Sequence, residues 1–178
     1  MTLVYIPATL AMLQQLVADG SLWPVNGTAF ALTPALREAY AEGNDDELAD
    51  VALREASLAS LRLLAARETE AGQGVADDAL PPRRAVLAAE VDFDESGVKH
   101  RPDLDDAVVR LAAPVPIHAV IAAYVDNAGA EAAVTKAMEV IDAADLGDED
   151  AELIVGDAQD HDLAWYANQE LPFLLDLL

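Results

Sequence analysis

Residues 119–147 read AVIAAYVDNAGAEAAVTKAMEVIDAADLG, and no other stretch of the chain declares its structure so clearly. Ala119 to Val125 is an apolar run of strand length rich in β-branched residues. Asp126 or Asn127 can cap the helix after it. Val134, Ala137, Met138 and Ile141 then recur at i, i+3, i+4 and i+7, the period of a helix with one buried face, and Gly147 fits just past its end. The acidic stretch Asp148 to Asp162 comes next. Beyond it, Leu163-Ala164-Trp165-Tyr166 reads as a second strand, and Gln169 to Leu178 as a short apolar helix or docked tail. The second half is therefore strand, helix, strand.

The opening of the chain has the same outline. Leu3-Val4-Tyr5-Ile6 reads as a strand ended by Pro7, and Thr9 caps a helix whose Leu10, Leu13, Leu16 and Val17 share a face. Asp19-Gly20 stops it, and Thr28 to Leu32 is a second short strand. Between the halves, Asn44-Asp45-Asp46-Glu47 carries a capping-box start for a helix running to about Arg67. Ala85 to Val91 and Val108 to Leu111 are further strands, with a turn at Asp94-Glu95-Ser96-Gly97. The segment 68–82 is rich in Gly, Asp and Pro without periodicity, and is read as a mobile loop inside a single domain, 1–178. These elements predict an α+β fold. Two strand-helix-strand units would share one mainly antiparallel sheet, with helices on one face, a ferredoxin-like character and the long helix inserted between them.

Composition limits the partners. With 33 Asp and Glu against 10 Lys and Arg, the formal net charge is -23. A field of that sign repels phosphate backbones and anionic headgroups, so nucleic acid and membrane surfaces are poor ligands, while basic proteins, cations and neutral small molecules remain. Alanine at about a fifth of the chain favours helices and close packing. The chain has no cysteine, which removes disulfides, Cys-ligated metals and thiol nucleophiles. There is no basic n-region, and no apolar run approaches the roughly 20 residues of a membrane span. The expectation is a cytoplasmic protein.

Three segments together carry a resemblance. Val4-Tyr5-Ile6-Pro7-Ala8-Thr9-Leu10, Arg101-Pro102-Asp103-Leu104-Asp105-Asp106-Ala107-Val108, and Asp160-His161-Asp162-Leu163-Ala164-Trp165-Tyr166 with Gln169-Glu170-Leu171-Pro172 resemble a family of short acidic actinobacterial proteins of unknown function. The resemblance spans nearly the whole chain. It implies neither an activity nor a catalytic residue.

The candidate chemistry gathers near the C-terminus. Asp157, Asp160 and Asp162 are candidate oxygen ligands for a divalent cation such as Mg²⁺, although their spacing lacks the register of an EF-hand. No nucleotide cofactor has support, because Gly72-Gln73-Gly74 is neither a Walker A loop nor a dinucleotide fingerprint. His161 beside Asp162 suggests acid–base work, but Ser21, Ser57, Ser60 and Ser96 show no nucleophile-elbow pattern. Trp165 and Tyr166 must face opposite ways on a strand. Trp165 is expected in the core with Tyr166 capping its edge; the competing reading makes His161, Asp162, Trp165, Tyr166 and Glu170 a ligand-binding set. Arg83-Arg84 is too small for an anion site and reads as charge gating a strand start. The leading function is a non-enzymatic or regulatory module that binds a protein partner. Its alternatives are a small hydrolase or transferase using the C-terminal acids, and an acidic mimic of nucleic acid.

Overall fold

The structure, a computed structural model, describes residues 2–40, 42–71, 80–92 and 98–177. Its centre is β1 (Thr2–Ala8), which pairs antiparallel with β4 (Ala85–Val91) along its whole length, from Thr2↔Val91 to Ala8↔Ala85. Pro7 does not end β1. On its other side β1 meets β3 (Thr28–Phe30) at Tyr5↔Phe30 alone, so Pro7, which lacks an N–H, stands outside that second pairing. With β5 (Lys99–His100), β6 (Val108–Arg110), β8 (Val120–Val125) and β9 (Ala164–Ala167), these strands form one antiparallel sheet of order β5-β6-β3-β1-β4-β8-β9. A separate ribbon joins β2 (Ser21–Leu22) to β7 (Val115–Pro116).

Local chemistry fixes the helices. The Thr9 hydroxyl accepts from Met12 N–H at 3.3 Å to start α1 (Leu10–Asp19), and Gly20, at φ 78°, closes it in the left-handed conformation. After α2 (Pro34–Ala39) comes the expected capping box: Glu47 N–H donates to Asn44 Oδ1 at 2.9 Å, and Asn44 N–H donates to Glu47 Oε2 at 3.2 Å. The helix it opens, α3 (Asp45–Ala71), is four residues longer than its pattern suggests and takes in residues 68–71 of the expected loop. The rest of that loop through 79, and the turn at 94–97, lie outside the described residues. Next come α4 (Glu131–Asp145) and α5 (Glu149–Gln159), the second of these lying within the acidic stretch, where Asp148 accepts from Ala151 N–H at 3.0 Å. The tail folds as α6 (Leu171–Asp176), docked through Leu171 and Leu174.

The fold is α+β, as expected, with two strand-helix-strand units, β1-α1-β3 and β8-α4-α5-β9, in one antiparallel sheet. Two details differ. The units stand on either side of β4, β3 paired directly with β1 and β9 with β8, without the interleaving of a ferredoxin-like sheet. Helices also cover both faces, because successive strand residues are apolar on each side. Val4, Ile6 and Leu87 pack against Leu10, Leu13, Leu16 and Leu171 of α1 and α6, while Tyr5, Val86 and Ala88 pack against Leu48, Ala52 and Ala56 of α3. Farther along α3, Leu61 joins Val134, Ala137, Ile141 and Val155 in a third cluster with α4 and α5.

Candidate functional site

Two regions at the β8–β9 side of the sheet gather the polar and aromatic side chains. The first is buried. Arg84, 1 % exposed, precedes β4, and Asp126, 0 % exposed, follows β8. Arg84 Nε and Nη2 each donate to the Asp126 carboxylate at 2.8 Å, and the Arg84 backbone N–H donates to the same group at 2.8 Å. Its Nη1 donates to Gln159 Oε1 at 2.6 Å, and Nη2 donates to the His161 carbonyl at 2.9 Å. Gln159 in turn donates to the Arg54 carbonyl at 3.3 Å, and Ser57 donates to Gln159 Oε1 at 3.2 Å. Close by, buried Ser60 donates to the Ala8 carbonyl at 2.7 Å and accepts from Ala85 N–H at 3.0 Å, stitching α3 to β1 and β4.

Most of the guanidinium's five donors meet protein acceptors, so little is left for a substrate. The constellation is a fastener. It ties β4, β8, α3 and the end of α5, and through His161 it holds the chain just before β9 begins. Sequence reasoning missed this pairing: Arg84 does not gate a strand with charge toward water, and Asp126 does not cap a helix. Asn127 instead caps the short 3-10 turn Ala128–Ala130 that leads into α4, its Oδ1 accepting from Gly129 N–H at 3.1 Å, and α4 itself starts after Ala130 without a side-chain cap. The available signal was a charge set directly against each of two strands, the two charges 42 positions apart.

The second region is open. β9 lies at one end of the sheet and, among the described residues, pairs with β8 alone. Trp165 stands opposite Tyr124, so both occupy the α3 face, while Tyr166 stands opposite Ala123 and packs into the α1–α6 core. Trp165 is 56 % exposed and belongs to no core cluster, which overturns its assignment as a core plug. The expected alternation holds, but β9 is an edge strand, and Trp165 on the α3 face is left largely exposed. Tyr124 meets buried Tyr5 edge-to-face, with ring centroids 6.5 Å apart. Burial, then Tyr124, Asp50 and Asp46, push the Tyr5 hydroxyl up to about 12; burial and Asp50 also raise that of Tyr124. Asp50 thus acts on both tyrosines of this face.

The C-terminal set divides. Asp157 lies on α5, Asp160 caps its end, and His161 and Asp162 follow in the connection to β9, all exposed. Glu170 is exposed in the turn before α6. Trp165 and Tyr166 point to opposite faces and do not line one pocket. Among the described residues no group of three or more His, Asp or Glu side chains is disposed to hold a metal ion, and no helix is long and apolar enough to cross a membrane.

A family model described as a family of unknown function, DUF6912, matches residues 2–175. The chain belongs to this family. The match takes in both regions, the Arg84–Asp126 fastener and the β9 edge. No curated protein and no solved structure matches the chain.

Proposed function

We propose that this member of DUF6912 is a non-enzymatic protein-binding module of the cytoplasm, and that it engages a basic partner through the surface around Trp165. One observation carries the reading: a large indole is 56 % exposed on a strand that, among the described residues, is paired on one side only, while its neighbours on both sides are partly buried. Holding an aromatic ring in water forgoes the roughly 1.5–3 kcal/mol that burial of a large apolar side chain supplies, and a core was within reach one residue away. Trp is among the residues that dominate binding energy at interfaces. The net charge of -23 selects basic partners and speeds their approach.

Crosslinking in cell extract with the wild-type protein and with Trp165→Ala tests the reading. Specific adducts of the wild type should be lost from the variant. An unchanged set of adducts would refute a role for this surface.

A further inference from the structure

The sheet has two edges, and they are built differently. At one end β5 carries Lys99 and His100, both exposed. Charged, very short edge strands are what proteins use to keep other strands from adding to a sheet. At the other end β9 reads Ala-Trp-Tyr-Ala, with no charge, no proline and no register shift against β8. Its connections are also well anchored. The His161 carbonyl before it is held by Arg84, and Asn168 after it donates to the carbonyls of Ile117 at 2.7 Å and Val120 at 2.6 Å. Among the described residues the outer edge of β9 is thus a pre-organised row of backbone donors and acceptors, a template that another strand can use.

Charge chooses the occupant. Exposed Asp160 and Asp162 precede the strand, exposed Glu170 follows it, and Asp50 acts on Tyr124, the cross-strand neighbour of Trp165. A second copy of this chain would bring a further -23 to the same place. We propose that β9 accepts an extended basic segment of a partner protein by strand addition. The incoming strand would place Arg or Lys on the Trp165 face, where the guanidinium or ammonium meets the indole ring and the acids, and apolar residues on the Tyr166 face. This rests on the protein-binding reading above and specifies its geometry.

The test uses a labelled peptide alternating arginine and valine, titrated by fluorescence anisotropy against the full chain at physiological salt. Two further versions carry N-methyl groups on alternate residues, each removing the donors along one edge of the peptide. Strand addition expects the unmodified peptide to bind, one N-methylated version to lose at least about tenfold in affinity, and the other to bind almost unchanged. Trp165→Ala should weaken binding about tenfold or more, and Trp165→Phe, which keeps a ring, should recover part of it. Equal binding by both N-methylated versions would overturn strand addition while leaving a protein-binding surface intact. Binding indifferent to Trp165→Ala would show diffuse charge attraction and overturn the proposal, as would failure of the unmodified peptide to bind. A concentration-dependent dimer abolished by Trp165→Ala in sedimentation would replace the partner with a second copy.

Discussion

The buried fastener at Arg84–Asp126 and the open edge at β9 lie on the same side of one sheet, linked through His161, and they satisfy opposite demands. In the fastener, two charged side chains at 1 % and 0 % exposure pair with each other and with backbone, so every interaction serves the fold. At β9 an indole is held in water and the outer backbone is left for others. The contrast teaches where function can reside. Groups whose bonding capacity is already taken up are structural, and surface kept open at a cost in stability is available for binding.

The largest expected effect belongs to the fastener. Arg84→Met leaves the Asp126 carboxylate buried without a counter-charge, which should cost about 3–5 kcal/mol by chemical denaturation. Arg84→Met with Asp126→Leu should recover much of that loss, since removing both charges also removes the desolvation penalty. A single substitution costing less than about 1 kcal/mol would break the distinction between the regions. Ser60→Ala comes next, because it strips a partner from both the Ala8 carbonyl and the Ala85 N–H inside the core. Its expected cost is about 1–3 kcal/mol in the same measurement.

Tyr5 sits between the regions, buried yet touching the open aromatic surface through Tyr124. With its hydroxyl pushed up to about 12 from the ordinary value of 10.0, the folded protein keeps a proton that the unfolded chain gives up across that window. The associated stability is fully present below pH 10 and is lost as pH rises through 12. Thermal melts from about pH 9 to about pH 12 should therefore show a decline that Tyr5→Phe makes shallower, and an identical decline in the variant would remove the burial argument.

Much of this was legible in the sequence. Period 3.6 in Val134, Ala137 and Ile141 and the Asn44–Glu47 box announced α4 and α3, and the apolar run of β4 marks its observed span, because apolar spacing and capping are local. The acidic run 148–162 concealed α5, whose buried stripe is limited to Ala151, Val155 and Ala158. Long-range facts did not show. That Arg84 meets Asp126, or that β9 is the last strand and Trp165 faces outward, depends on the order of strands, which no local pattern encodes. The candidate set at 157–170 rests on proximity along the chain, and strand alternation sends Trp165 and Tyr166 to different faces.

The smallest expected effect on stability is also the most direct test of the central claim, that β9 is a binding edge resting on a separately fastened fold. Urea denaturation of Trp165→Ala beside the wild type measures it. The unfolding free energy should stay within the roughly 0.5 kcal/mol expected of a surface substitution, while affinity for the alternating arginine–valine peptide falls about tenfold. A loss of about 3 kcal/mol or more, the size of a core aromatic truncation, would contradict the account and return Trp165 to the interior of the fold.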